Sequence, residues 1–195
     1  AAIESLDSAP TQAAQMTAIM LRLVTPMLGV IPVVYSSDLC RLRVFGTWVN
    51  RMLGDAEACA RAYNRAAAEH LAAGVASLLV GADRVELPLW MVDSGIPRQR
   101  VFADVADSSP LLVTEAGEPI DLRTQKLAPK ALFQTALFRD ALCDMFIHGL
   151  GGGVYDAVTE NWWHAWTGRS LSPMAVVTAD VRLKLHAPVA EPSEL

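Results

Sequence analysis

Apolar residues recur at three- and four-residue spacing early in the chain and at two-residue spacing further on. Met16, Ile19, Met20, Leu23 and Val24 keep the first rhythm, which predicts a helix from Thr11 to about Thr25, ahead of Pro26. Ile31 to Tyr35 is β-branched and apolar and reads as a strand, followed by Ser36, Ser37 and Asp38, which are good helix caps. Leu39 to Leu53 sets Leu42, Phe45, Trp48, Val49 and Met52 on one face, with Gly54 as its stop. Asp55 caps a second helix, in which Ala58, Cys59, Ala62, Tyr63 and Ala66 form a small-residue stripe that lets another helix come close. This helical pair is expected to reach about Ala73.

The period then shortens. Val85 to Val92, Arg100 to Val105 and Pro110 to Glu115 partly alternate and are separated by turn-forming residues at Asp93 to Pro97, Asp107 to Pro110 and Ala116 to Glu118. Runs of that kind at close spacing predict an antiparallel meander. Pro88 cannot donate to a ladder, so it confines its strand to an edge or a bulge. Lys126 to Asp140 admits two readings. Leu132, Phe133, Ala136 and Leu137 suit a helix, whereas a strand from Ala131 to Thr135 followed by a short helix suits the loop lengths. The second is preferred, because that strand would lie beside the next one. Met145 to Ile147 is a short apolar burst of the kind a buried strand uses, ending at His148 and a glycine-rich loop. Val154 to Trp166 is helical with Gly168 as its stop, and Met174 to Leu185 alternates strictly enough to predict a final strand.

Composition narrows the function classes. The chain has 195 residues and is 52% hydrophobic, enough for one core, yet no apolar run is long enough to span a membrane. Sixteen basic residues against twenty-one acidic ones give a net charge of -5, and the basic residues form no cluster larger than pairs such as Arg41 with Arg43 and Arg98 with Arg100. Nucleic-acid binding draws on phosphate neutralisation, so that balance argues against a nucleic-acid partner. Cys40, Cys59 and Cys143 show no metal or redox spacing, which suits buried thiols in a reducing cytoplasm. The chain opens Ala-Ala-Ile-Glu, without methionine or a signal pattern, and is expected to be a piece of a longer polypeptide. The expected organisation is a flexible start at 1–10, a single α/β domain at 11–187 and a flexible tail at 188–195. The domain divides into a helical part (11–75), a β meander (84–122) and a glycine-loop part (126–187).

Candidate chemistry centres on FIHGLGGGVYD, residues 146–156. A strand, a glycine loop and a helix in that order aim backbone N–H groups and a helix dipole at one point, which suits an anion. Gly149, Gly151, Gly152 and Gly153, with Tyr155 and Asp156, are therefore candidate binding residues, and a tight structural turn is the alternative. The run is not GxGxxG, because Val154 stands where the last glycine belongs, and it lacks the GK[ST] of a phosphate loop. His148 is the candidate acid/base group. Lys130 and Arg139, with Arg98 and Arg100, could supply countercharge, although Arg139 with Asp140 could equally be an internal ion pair. Asp156, Glu160 and His164 share a helical face and could approach a metal, but Asp156 and Glu160 are also ordinary helix-start carboxylates, and no metal site is assigned. Tyr155, Trp162, Trp163 and Trp166 could stack on a ligand or pack in a core. No GxSxG is present, and no cysteine or serine has an evident base.

Leu127 to Asp140 and Met145 to Asp156, with ELPLW at 86–90 and IPR at 96–98, resemble the C-terminal part of a group of uncharacterised bacterial proteins that share an FIHGxGG…YD loop. More distantly, residues 127–166 are similar to bacillithiol synthase, the putative cysteine-adding enzyme, in which an aromatic segment precedes a glycine loop and a helix. There an acidic residue follows the glycines, where this chain has Val154 or Tyr155. The resemblance implies a Rossmann-like core. The expected fold class is thus α/β, a Rossmann-like strand, glycine loop and helix core with an antiparallel β meander and an N-terminal helical pair. It also implies part of a ligase- or transferase-like enzyme binding a small anionic metabolite or nucleotide at His148 to Gly153. The alternative is a non-catalytic interaction domain whose tryptophans pack on a partner chain or on a missing part of the same protein. No cofactor is specified.

Overall fold

A computed structural model describes residues 11–92, 97–122 and 125–178. The expected flexible start, the turn residues 93–96, the last strand beyond Thr178 and the tail lie outside them. The described residues fall into two compact units, one ending at Tyr35 and the other beginning at Ser36.

The first unit is built on α1 (Gln12–Leu28). Thr11 caps it, its hydroxyl accepting the Ala14 N–H at 3.1 Å. The helix runs past the expected end at Thr25 and takes Pro26 into its last turn, at the cost of the one hydrogen bond that proline cannot donate. Gly29, at φ 74°, closes it by donating its N–H to the Thr25 carbonyl. Ile31 to Tyr35 is irregular rather than a strand. β-Branched residues favour strands only where a neighbouring ladder takes their backbone groups.

The second unit opens with a 3-10 helix at Ser36–Arg41, followed by α2 (Arg43–Gly54), α3 (Ala56–Glu69) and a 3-10 turn at Leu71–Ala73. Strands β1 (Arg84–Val92), β2 (Gln99–Asp104) and β3 (Leu111–Thr114) form the expected meander. Then come β4 (Lys126–Pro129), α4 (Ala131–Ala141), β5 (Phe146–His148), α5 (Leu150–Thr167) and β6 (Met174–Val176). The main sheet is antiparallel in the order β3-β2-β1-β4. β1 is central in spite of Pro88, and its register with β2 shifts between Glu86 and Trp90, so the proline sits at an irregularity.

Residues 131–135 are helical, not a strand. β4 ends at Pro129, and Ala131, Leu132 and Gln134 are good helix formers that bury Leu132, Phe133, Ala136 and Leu137 on one face. The strand entering the glycine run has a different neighbour from the one expected, since β5 pairs in parallel with β6 in a separate two-stranded sheet. That strand is not buried either, as Ile147 is 61% exposed.

Size complementarity between helices builds the core. Ala56, Cys59, Ala60, Tyr63, Ala66 and Ala67 of α3 are buried, and α5 fills the space above them with Trp162, Trp163 and Trp166. Trp48 of α2 joins the cluster, 4.4 Å from Trp163 between ring centroids. The indole N–H groups find partners, Trp162 donating inside the core to the Cys59 carbonyl and Trp166 at its edge to the exposed Asp55 carboxylate. Burial pushes the Cys59 thiol up from its ordinary pKa. The fold is mixed α/β, helical in its early part and antiparallel in its main sheet.

Candidate functional site

β5 ends at His148, Gly149 is the N-cap of α5, and the helix begins at Leu150, so Gly151, Gly152 and Gly153 form its first turn instead of a loop before it. None of the four has a positive φ. The Gly152 and Gly153 N–H groups already donate to the Gly149 carbonyl, at 3.0 and 3.2 Å. A Cβ on Gly152 would lie 2.1 Å from His148 Nδ1, and one on Gly153 would lie 2.6 Å from Val176 Cγ2. Those two glycines therefore let the imidazole and β6 press onto the helix start, while Gly149 and Gly151 face open space.

His148 turns inward. Its Nε2 lies 3.8 Å from Asp156 Oδ2, and Asp156 is fully buried. Arg139 supplies the charge balance. Its Nη1 is 2.8 Å from Asp156 Oδ1, close enough to pair but not aligned for a hydrogen bond. Its Nη2 donates to Glu160 at 2.6 Å and its Nε to the Ser172 carbonyl at 2.7 Å. Arg139 is thus committed to joining α4, α5 and the segment before β6. Asp140 instead accepts from Arg169 at 2.8 Å. With Asp156 and Glu160 both turned to Arg139, His164 does not converge with them, and no group of three His, Cys, Asp or Glu among the described residues is placed to hold a metal.

Lys130 and Tyr155 line a different space, a cavity of about 410 Å³ bounded by β1, the segment 75–79, the start of β2, the start of α4 and Tyr63. Glu86 of β1 is buried in its wall. One carboxylate oxygen accepts from Lys130 Nζ and lies 3.8 Å from Arg100, and the other accepts the Leu79 N–H at 3.0 Å. Lys130 is held by its backbone too, its N–H donating to the Pro88 carbonyl at the β1 irregularity. The Trp90 ring carries Arg98 and Lys130, each 4.6 Å from its centroid. Asn64 fixes the facing wall, its side-chain amide exchanging two hydrogen bonds with the Leu78 backbone.

α4 has no side-chain cap, and Ala131 and Leu132 line the cavity, so the positive end of that helix faces it. Burial lowers the Lys130 pKa, with Arg100 and Arg98 pulling the same way and Glu86 opposing them. Burial, reinforced by Glu86, raises the Tyr63 hydroxyl to about 12. Of the expected residues, then, Lys130 and Tyr155 meet Arg98 and Arg100 here, while His148, Asp156 and Arg139 meet one another elsewhere. Glu86, Trp90 and Asn64 escaped the sequence reading. A single acid inside an apolar strand, Val85-Glu86-Leu87, was the available signal for the first.

Compared with known proteins, the chain matches no family model, no curated protein and no solved structure. Its class is therefore given by its own architecture, a mixed α/β protein with a cation-lined cavity at its antiparallel sheet. No helix among the described residues is long and apolar enough to cross a membrane.

Proposed function

We propose that this protein binds a small anionic metabolite in the cavity lined by Lys130, Arg98 and Arg100. The observation that carries this reading is the charge balance. Three cations and an uncapped helix start face a space with one carboxylate in its lining, Glu86, shared by Lys130 and Arg100, while exposed Glu115 stands 3.9 Å from Arg100, so two acids answer three cations and one positive charge is left over. The volume of about 410 Å³ suits a metabolite rather than a macromolecule. Trp90 and Tyr155 add aromatic surface. This is the anionic ligand expected from the sequence, assigned to the Lys130 and Tyr155 side of the molecule instead of the glycine run. The strand, helix and parallel strand order of β5, α5 and β6 is what supports a Rossmann-like core, and a ligase- or transferase-like reaction would act on the bound anion.

The test is a thermal-shift and calorimetric screen with inorganic phosphate, sugar phosphates, nucleotides and carboxylates. Ligand at a hundredfold excess over its Kd stabilises by about 2.7 kcal/mol, a readily measured rise in Tm. Arg100→Ala is expected to remove most of the rise. A screen without any shift, or shifts insensitive to Arg100→Ala and Arg98→Ala, overturns the proposal. The interaction-domain alternative lacks its main support, because the Trp162, Trp163 and Trp166 rings are buried in this chain's own core.

A further inference from the structure

We propose that Lys130 forms an imine with the carbonyl carbon of a 2-oxo acid bound in the cavity, an inference that rests on the anion-binding reading above. Three features of the geometry converge on it. The amine is largely withdrawn from water, with a side-chain exposure of 14%, yet it faces a cavity large enough for a substrate. Glu86, buried and hydrogen-bonded to that amine, is placed to take its proton. Arg98 and Arg100 line the same cavity as the amine, Arg100 at the long distances of 3.8 and 3.9 Å from Glu86 and Glu115, and the two guanidinium groups can hold a carboxylate next to the reacting carbonyl and disfavour a further positive charge. The lowered Lys130 pKa agrees with this arrangement.

The chain's usage of cations points the same way. Its lysines are Lys126, Lys130 and Lys184, and its other basic residues are arginines. Arginine would grip Glu86 with two parallel hydrogen bonds, yet the position holds the one cation that can become a nucleophile.

The step balances without a further reactant. Lys130 passes a proton to Glu86, and its freed electron pair attacks the carbonyl carbon. The resulting carbinolamine loses its oxygen as water, and the proton on Glu86 returns to complete that water or to leave the nitrogen as an iminium. Amine and ketone become imine and water, with no oxidation. An iminium at this nitrogen remains a cation beside Glu86, so the buried carboxylate keeps its counterion. Val75, Leu78, Leu79 and Leu132 give the lining away from the cations a largely apolar surface, which favours a 2-oxo acid with an apolar side chain over one with a second carboxylate.

The experiment incubates the intact protein with 2-oxoisovalerate and sodium cyanoborohydride, which reduces an iminium to a stable secondary amine, followed by intact-mass and peptide mapping. The expected result is one adduct per chain on Lys130, with Lys126 and Lys184 unmodified. Excess 2-hydroxyisovalerate, which has the carboxylate but no carbonyl, should suppress it at least tenfold. Lys130→Arg keeps the counterion of Glu86 and should abolish the adduct while still binding 2-hydroxyisovalerate. Should that variant fail to fold, the wild-type map and the suppression by the hydroxy acid decide. Absence of an adduct on Lys130, or equal labelling of all three lysines, in a protein whose Tm rises with 2-hydroxyisovalerate or phosphate overturns the imine and leaves the anion cavity standing. No response to any anion overturns both.

Discussion

Gly151 and Gly152 are neighbours in the first turn of α5, and the structure predicts opposite consequences for the same substitution. In Gly152→Ala the new methyl would sit 2.1 Å from His148 Nδ1, and 2.6 and 2.9 Å from the ring's Cγ and Cε1. The imidazole has little room to retreat, since the Phe146 ring stands edge-on 4.6 Å away and Nε2 faces buried Asp156. Overpacking of this kind costs roughly 1–3 kcal/mol. Replacing a helical glycine returns up to about 1 kcal/mol by restricting the unfolded chain. The net expectation is a loss centred on about 1–2 kcal/mol, or roughly 2–8 °C in Tm for a chain of this size. Gly151→Ala meets nothing within 4 Å and keeps only the gain, a rise of about 1–4 °C. Differential scanning calorimetry of the two variants reads the contrast. Adding His148→Ala to Gly152→Ala should cancel most of the clash, which a double-mutant cycle measures. Both single variants as stable as the parent, with anion binding lost in each, would refute the packing account and make the glycine run the anion cradle.

Other parts of the structure lead to further expectations. Arg139→Ala removes the guanidinium that pairs with buried Asp156 and should cost about 3–5 kcal/mol in chemical denaturation, and Arg139→Lys should recover little, since an ammonium cannot span Asp156, Glu160 and the Ser172 carbonyl together. Trp162→Ala opens a cavity above the small residues of α3 and should cost about 3–5 kcal/mol by the same measurement. Tyr63 titrates at about 12 in the fold against 10.0 ordinarily, so above pH 10 the unfolded chain loses a proton that the folded one keeps. Stability should therefore fall by up to about 3 kcal/mol between those two values. Tyr63→Phe should flatten that decline in pH-dependent denaturation curves.

The sequence carried more of the elements than of their neighbours. The face formed by Phe45, Trp48, Val49 and Met52 and the small stripe of α3 are local patterns, and each falls on a helix, although α2 starts at Arg43 rather than Leu39, Ser36 to Asp38 lie in a 3-10 turn instead of capping it, and Leu42 and Ala58 are exposed. The three meander strands were legible for the same reason. Lys126 to Asp140 was not, because a short apolar run fits either period until something packs against it. β4 found its ladder on β1, and the residues after Pro129 were left to coil. The cations were legible by type but not by place. Lys130, Arg98 and Arg100 share a cavity, whereas Arg139, equally plausible on paper, turns to Asp156.

Residues a few places apart determined α2, α3, α5 and the three meander strands, since backbone periodicity and capping act over one or two turns. Tertiary structure alone decided that Glu86 would meet Lys130, 44 residues away, and that the glycines would accommodate an imidazole and a valine. The reason is physical. A buried charge is tolerated only beside its counterion, and which counterion arrives depends on how the chain closes in space.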